Sequence, residues 1–282
     1  MSPAQPFPSI NEKTNAPVSR QHMKLFLFLI TLIFCINTAF AQELKIETPA
    51  FKPGEKLSYK MKYGFFTAAE ANIHVEESPI KFLEKPAYHI IAEGKTAGTF
   101  DVFYKVRNRY ETYVDETTLM PYFYEENRHE SNYKHTDKVT FNQNDHKITA
   151  AKGVFPYTGK VFDFVSVYYF CRCIDVSKIR IGEKFDIQYF LEDGVHNMSI
   201  TYMGKEKIAC SMGTFNCLKF NPTIIPGRIF RKDSKLYLWI TDDNNRIPVK
   251  AHVEVIVGSL TMELSAASGL KYPLNPVSKE TD

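Results

Sequence analysis

The sequence predicts a mainly β protein, built as a large curved antiparallel sheet or half-open barrel with one principal short helix. Residues 236–264 contain three runs in which apolar and polar side chains alternate, a period of two that is typical of strands with one buried face. Polar or glycine-containing turns separate these runs. The 282-residue chain also contains 22 Phe and 16 Tyr, aromatic residues that favour strands.

The first of the three runs has apolar or aromatic side chains on both faces. Leu236, Leu238 and Ile240 share one face of the predicted strand, and Tyr237 and Trp239 share the other. We therefore expect both faces to be covered, one by the core and the other by a helix, a loop or a bound ligand. Trp239 and Tyr237 are candidates either for the core or for the wall of a binding groove.

The same alternation continues through the rest of the chain and predicts a meander of antiparallel strands. The further predicted strands are 57–63, 69–75, 88–96, 100–113, 122–133, 135–141, 147–151, 184–191, 197–202, 205–210 and 214–221. The alternation is weakest in the middle of the chain, which indicates a sheet edge or a solvated hairpin there.

Residues 163–173 form the one segment with a strong helical pattern. Apolar side chains recur at the spacing of one helix face, at Phe164, Val167, Tyr168 and Cys171. Asp163 is the expected N-cap, and Ser166 occupies the third position after it. This helix is the expected cover for part of the concave face of the sheet.

The N-terminal region has the features of a secretory signal peptide over residues 23–41. Lys24 precedes a short apolar run, and Ala39-Phe40-Ala41 forms a small-residue cleavage site, so we predict cleavage after Ala41. Residues 1–22 are interpreted as a mis-assigned extension ahead of the true start at Met23. The alternative is a long leader that is tolerated.

We expect one domain after the leader. Removal of residues 1–41 leaves 241 residues, and no Gly/Ser linker or internal repeat divides them. Residues 42–270 are assigned to a single β-rich exported domain and residues 271–282 to a polar tail. The remaining chain has no apolar stretch of membrane-spanning length. We therefore predict a periplasmic or secreted protein with no integral membrane span.

The charge balance argues against strongly charged partners. The whole chain has a formal net charge of +3. The leader contains three basic residues and one acidic residue, so its removal leaves +1. A chain so close to neutrality is not expected to bind nucleic acid.

Four cysteines follow the leader, and in an exported protein they can be oxidised. With Gly213-Thr214 as a two-residue turn, Cys210 and Cys217 face each other across a hairpin, a spacing that permits a disulfide. The alternative is that both are small buried apolar side chains. Cys171 and Cys173 do not match the CxxC redox motif.

No residue pattern identifies a catalytic, cofactor or metal site, and we predict none. His and carboxylate residues within 128–130 and 135–137 could converge, but a solvated polar hairpin is the favoured interpretation. Asp163 and Ser166 could suggest a hydrolase, but no His follows at a spacing typical of a catalytic triad, and Ser166 is not in a Gly-x-Ser-x-Gly nucleophile elbow. We therefore expect a protein that is not an enzyme.

Six short signatures occur in order along the chain. They are Pro53-Gly54-Glu55-x-Leu57-x-Tyr59, Tyr104 to Tyr110, Val114-Asp115 with Leu119 and Pro121, Asp163 with Ser166 and Tyr169, Gly213 to Cys217, and Leu238 to Val249. In this order the sequence resembles a bacterial exported family known as domain of unknown function 3108, over about residues 51–264. The resemblance implies a periplasmic or envelope location and a mostly antiparallel β fold, with no reaction assigned.

Three functions are compatible with these features. The leading hypothesis is a non-enzymatic envelope protein that binds a hydrophobic or lipid-like ligand in a groove of the curved sheet. The alternatives are a hydrolase that acts on envelope polymers and a structural partner of an outer-membrane assembly. Convergent carboxylates or His residues in a cleft would favour the hydrolase. The sequence does not specify the ligand or the oligomeric state.

Overall fold

Strands account for most of the fold, as the alternation predicts. The structure is a computed structural model that describes residues 49–224 and 233–278, so the predicted leader and its cleavage site lie outside it. More than half of the described residues are in strands, and these strands form one large unclosed sheet. The predicted fold class is confirmed: mainly β, with a large curved antiparallel sheet or half-open barrel and one principal short helix.

The sheet contains fifteen strands among the described residues. They are β1 (Lys56–Tyr63), β2 (Phe66–Glu77), β3 (Ala87–Thr96), β4 (Val106–Asp115), β5 (Pro121–Glu130), β6 (Tyr133–Asn142), β7 (Lys147–Ala150), β8 (Gly153–Pro156), β9 (Val161–Phe162), β10 (Lys184–Leu191), β11 (Gly194–Cys210), β12 (Gly213–Pro222), β13 (Leu236–Thr241), β14 (Pro248–Glu254) and β15 (Ser259–Ser268). Across the sheet, the strands run in descending order from β8 to β1, and β1 is followed by β15 and then in descending order to β9. All neighbours are antiparallel except β9 and β10. The pairing of β1 with β15 joins the two halves of the chain.

The two ends of this sheet curve toward each other. The ring of Phe190 on β10 lies with its centre 6.4 Å from that of Phe141 on β6 and 5.2 Å from that of Phe155 on β8. In the described part of the chain, no strand pairing joins these ends. The sheet is therefore a half-open barrel whose gap is crossed by aromatic side chains.

Within residues 49–224 and 233–278, two short helices accompany the strands, α1 (Gly98–Phe103) and α2 (Ser166–Arg172). The second lies within the predicted helix 163–173. The first was predicted as the start of a strand over 100–113, and that prediction is wrong in its first part. Gly98 has a φ of +57°, which turns the chain out of the sheet after β3. In the residues that the structure describes, no helix has the length and apolarity required to cross a membrane.

Other differences concern turns and bulges. The predicted strand 122–133 runs through the turn at 131–132, which separates β5 from β6. The predicted strands 197–202 and 205–210 are one strand, β11, with a bulge between Tyr202 and Gly204. A bulge shifts the alternation by one residue, and the sequence pattern therefore suggests two strands where there is one. The short strands β8 and β9 were not predicted.

The described part of the chain has two clusters of buried apolar side chains. The interior core contains buried side chains from both halves of the sheet and from α2, among them Ile90, Val114, Phe162, Phe170 and Ile240. The hairpin core lies beside the β11–β12 hairpin and contains Leu57, Tyr59, Cys210, Phe215, Cys217, Trp239, Ile247, Val249 and Leu264. Strand β13 contributes to both clusters, since Ile240 belongs to the first and Trp239 to the second.

Candidate functional site

A buried ion pair joins the segment before β1 to the end of α2. The side chains of Glu55 and Arg172 are 0% and 1% exposed. The Arg172 guanidinium donates to the Glu55 carboxylate from Nη1 to Oε1 at 2.6 Å and from Nη2 to Oε2 at 2.9 Å. It also donates to the carbonyl oxygen of Asn245, from Nη2 at 2.9 Å and from Nε at 3.2 Å. Three distant parts of the sequence meet at this pair.

Aromatic rings surround the pair. The Tyr169 hydroxyl donates to Glu55 Oε1 at 3.2 Å, and Arg172 Cζ lies 5.0 Å from the Tyr169 ring centre and 5.7 Å from that of Phe51. Burial by itself lowers the pKa of Arg172, but the hydrogen bonds and charge of Glu55 hold it well above its usual value. Burial raises the pKa of Tyr169. Arg172 therefore stays charged and Tyr169 neutral, and neither is suited to acid–base chemistry near pH 7.

Three of the six sequence signatures meet in this cluster. The first signature supplies Glu55, the helix signature supplies Tyr169, and the last supplies Asn245. Their shared role is structural, because they fix α2 against the sheet. Sequence reasoning missed Arg172. Its signal was its position three residues after Tyr169, which puts a charged residue on the same side of the helix.

Asp163 and Ser166 are joined by capping bonds. Asp163 Oδ1 accepts from the backbone nitrogens of Val165 and Ser166, each at 2.8 Å, and Ser166 Oγ accepts from the Asp163 nitrogen at 2.9 Å. Thr112 Oγ1 donates to Asp163 Oδ2 at 2.6 Å. Burial raises the pKa of Asp163, and these hydrogen bonds oppose the rise. The geometry fits the predicted capping role.

Polar side chains of β5 and β6 contact one another, and one of these contacts is an ion pair between Arg128 and Glu130. His135 Nε2 lies 3.3 Å from Glu126 Oε1, and Arg128 Nε lies 3.1 Å from Glu130 Oε1. Asp137 Oδ1 accepts a hydrogen bond from a backbone nitrogen at 2.8 Å. Within residues 49–224 and 233–278, no three His, Cys, Asp or Glu side chains lie close enough together to hold a metal ion. Every buried side-chain nitrogen and oxygen in these ranges has a hydrogen-bond partner.

Cys210 and Cys217 do not face each other across the hairpin. The predicted turn at Gly213-Thr214 is wrong, because the turn lies at 211–212 and Cys210 pairs with Gly213. Cys217 lies opposite Glu206, four residues along β11 from Cys210, or about 13 Å in an extended strand. This register removes the basis for a disulfide across the hairpin, because the two Cys are not opposite each other.

Gly213 allows a close approach between β12 and the C-terminal segment. A Cβ atom at Gly213 would lie 2.6 Å from the carbonyl oxygen of Ser278 and 2.9 Å from Pro276 Cβ. The Thr214 nitrogen donates to Ser278 O at 2.9 Å, and the Val277 nitrogen donates to Thr214 O at 2.7 Å. Glycine is thus required here for space. The described part of the predicted polar tail is packed against the sheet.

Protein side chains cover both faces of β13. Trp239 is 8% exposed, and its Nε1 donates to Glu206 Oε2 at 2.7 Å. Tyr237 packs against the same hairpin core, and Lys219 Nζ lies 4.8 Å and 5.0 Å from the centres of the Tyr237 and Trp239 rings. Ile240 is buried on the other face. A binding role for the two aromatic rings stays a prediction.

An open cleft lies beside the hairpin core. Its volume is about 660 Å³, in the range of small-molecule sites. It lies between the β11–β12 turn and the segment after β15, and its walls are Ser211, Met212, Phe215, Ala267, Gly269, Leu270, Tyr272, Pro273, Leu274 and Pro276.

The predicted groove between the concave face of the sheet and α2 needs correction. Val165, Tyr169 and Phe170 are buried there in the interior core, so side chains fill that space.

Comparison with known sequences identifies a family. The model of the family described as "Protein of unknown function (DUF3108)" matches residues 58–265. This range includes most of the signatures noted in the sequence. None of the curated proteins matches the chain significantly.

The solved structures that match this chain are distant from it in sequence. A β-barrel-like protein of domain of unknown function DUF1849 from Brucella abortus has a TM-score of 0.50 and 8% identity, with 79% of this chain and 98% of that chain covered. A presumed exported protein with a YmcC-like fold from Bacteroides fragilis has a TM-score of 0.33 and 10% identity, with 79% and 99% covered. A presumed lipoprotein from Parabacteroides distasonis has a TM-score of 0.35 and 10% identity, with 80% and 100% covered. The Brucella structure supports the barrel-like fold alone.

Proposed function

We propose a binding function for this chain, which belongs to the family described as protein of unknown function (DUF3108). The protein is a non-enzymatic component of the bacterial envelope that holds a hydrophobic or lipid-like ligand. The observation that carries the proposal is the cleft beside the hairpin core, whose lining includes the apolar side chains of Met212, Leu270 and Leu274. Its location in the periplasm or outside the cell follows from the predicted cleavage after Ala41.

The state of the polar groups supports binding in preference to catalysis. The buried Glu55, Arg172, Asp163 and Ser166 side chains are all engaged in hydrogen bonds that hold α2. A catalytic group needs a free hydrogen-bonding position toward its substrate. These four side chains already hydrogen-bond to groups that hold α2 on the sheet, so they do not offer a free position to a substrate.

One wall of the cleft offers an apolar ligand a surface to pack against, while polar atoms make up more than half of the exposed lining. Met212, Leu270 and Leu274 are partly buried and pack against the hairpin core, so the apolar wall of the cleft continues into the protein interior. A ligand chain on this wall would be removed from water, which contributes about 0.8 kcal/mol for each buried methylene group. Tyr272 and Ser211 add polar groups at the walls.

Native mass spectrometry of the protein purified from its own host tests this proposal. The wild type should retain an apolar molecule. The double variant Leu270→Ser with Leu274→Ser should lose most of it. A matched control is Ile80→Ser with Leu83→Ser, which changes two exposed apolar residues outside the cleft, 51% and 68% exposed. Repeated absence of a bound molecule in the wild type, or equal retention by all three proteins, would rule the proposal out.

A further inference from the structure

Exposed apolar side chains cluster at one end of the sheet. They lie on three loops, the β1–β2 turn, the segment 97–105 that contains α1, and the β14–β15 turn. Their exposed fractions range from 51% to 100%, and we call the set the apolar rim: Phe65, Phe66, Val102, Phe103, Tyr104, Ile256 and Val257. Single exposed apolar residues are common on proteins, whereas a contiguous set marks an interaction surface.

Tyr63 holds the three loops together as one surface. Its hydroxyl donates to the carbonyl oxygen of Val257 at 3.1 Å, and its ring centre lies 6.3 Å from that of Phe100. The backbone nitrogen of Ala97 donates to Ala68 O at 2.9 Å, which attaches the α1 segment to β2. The apolar rim therefore has a defined shape.

The α1 segment is built to keep its apolar side chains outside the core. None of its residues is buried. Arg107 donates to Asp101 from Nη1 to Oδ1 at 2.6 Å and from Nη2 to Oδ2 at 2.9 Å, and Thr96 Oγ1 donates to Asp101 Oδ1 at 2.6 Å. These bonds fix the segment while Val102 and Phe103 are 82% and 87% exposed.

The charges on these loops suit a phosphate-bearing surface. The stretches 63–67, 97–105 and 255–258 contain only two charged residues, Asp101 and Lys105. Asp101 is neutralised by Arg107. No uncompensated carboxylate on these loops opposes contact with phosphate groups, and Lys105 favours it.

We infer that the apolar rim docks on the surface of a lipid bilayer. Its side chains project from three loop ends, and such projections insert singly between lipid chains and head groups. Phe and Tyr are well suited to that boundary, where one side of the ring is apolar and the other is hydrated. The near-neutral chain implies attachment by apolar insertion more than by charge.

The apolar rim is separate from the cleft. Strand β15 begins next to the β14–β15 turn of the rim and ends at Ser268, beside the cleft residues Ala267 and Gly269. The two surfaces therefore lie at opposite ends of one strand. Docking on a bilayer and retention of a ligand are separate properties, and either can be lost alone.

Sedimentation with lipid vesicles tests the inference. The chain is expressed in full, and the form that accumulates is mixed with vesicles of phosphatidylcholine, alone or with phosphatidylglycerol. Phe65→Ser combined with Phe103→Ser should lower the partition coefficient about tenfold or more on both vesicle types, because two inserted rings are lost. Lys105→Glu should weaken binding a few-fold, and only to the vesicles that contain phosphatidylglycerol.

The control is Ile80→Ser with Leu83→Ser, in the β2–β3 loop at the other end of β2. This control should bind as the wild type does. Both double variants should unfold at the wild-type temperature, since the replaced side chains are exposed. Failure of the wild type to bind either vesicle, or equal binding by the rim variant, would overturn the inference. So would a dimer that the rim variant disrupts without any vesicle binding, because the partner would then be a second copy.

Discussion

The Glu55–Arg172 pair and the apolar rim place side chains in opposite environments. The pair buries two full charges in the interior, and each has hydrogen-bond partners in fixed positions. The rim exposes large apolar groups, such as Phe65 and Phe103, on a well-defined backbone. In the first arrangement, residues of the same chain supply the partners that compensate the buried charges. The second leaves apolar groups in water, and we propose that a bilayer covers them.

This difference separates the buried polar cluster that holds α2, here called the frame, from the surfaces that we propose for binding. Three of the six signatures recognised in the sequence meet at the buried pair, where their role is to hold α2 on the sheet. The rim contains only part of one signature, which begins at Tyr104, and the cleft contains part of another, which begins at Gly213. A pattern that identifies the family therefore says much about how the chain folds and little about what it binds.

Removal of one member of the buried pair should have the largest effect. Arg172→Met leaves the Glu55 carboxylate buried without its charged partner and should lower the free energy of unfolding by about 3–5 kcal/mol. Urea denaturation followed by circular dichroism measures the change. Glu55→Leu combined with Arg172→Met should recover part of the loss. A single variant within about 1 kcal/mol of the wild type would show that the pair is not part of the frame.

Truncation of Trp239 should have a slightly smaller effect. Trp239→Ala removes a nearly buried ring from the hairpin core and should cost about 3 kcal/mol. Trp239→Phe keeps most of the packing and loses the bond to Glu206, so its cost should be near 1 kcal/mol. Because this is the sole tryptophan, its fluorescence is a direct check. Emission typical of hydrated indole would contradict the burial.

Loss of a helix cap should have a moderate effect. Ser166→Ala removes the hydroxyl that accepts from the Asp163 nitrogen and should lower the free energy of unfolding by about 1 kcal/mol. Val167→Ala, on the same helix, changes packing without changing the cap and serves as a comparison. An unchanged urea midpoint in Ser166→Ala would show that the cap does not stabilise α2.

The cysteines should produce the smallest effect, on reactivity alone. Burial, followed by the influence of Cys210, raises the pKa of Cys217 to about 12, so its reactive thiolate is scarce at pH 8. Alkylation at that pH should be slow in the folded protein and fast after unfolding. Peptide mapping without reductant should recover Cys210 and Cys217 as separate thiols. A linked peptide pair would contradict the observed register.

The sequence predicts the sheet well and the surfaces poorly, for physical reasons. Alternation reports which strand face is buried, and the strands from β1 to β3 and from β13 to β15 follow it closely. In the α1 segment, apolar and polar residues follow no regular spacing, because none of its residues is buried. The turn at 211–212 gives the register of Cys210, and Gly213 after it lies close to Ser278, a contact between distant residues that no local pattern reports. The cleft likewise arises from that tertiary packing.

Binding of the apolar fluorescent probe N-phenyl-1-naphthylamine to two variants tests the separation of frame and surface most directly. Ser166→Ala weakens the frame, and Leu270→Ser with Leu274→Ser changes the cleft wall. We predict that Ser166→Ala binds the probe with wild-type affinity while it is folded, and that the cleft variant binds at least about tenfold more weakly. Loss of binding in folded Ser166→Ala, with wild-type affinity in the cleft variant, would place the binding site in the interior and contradict this separation.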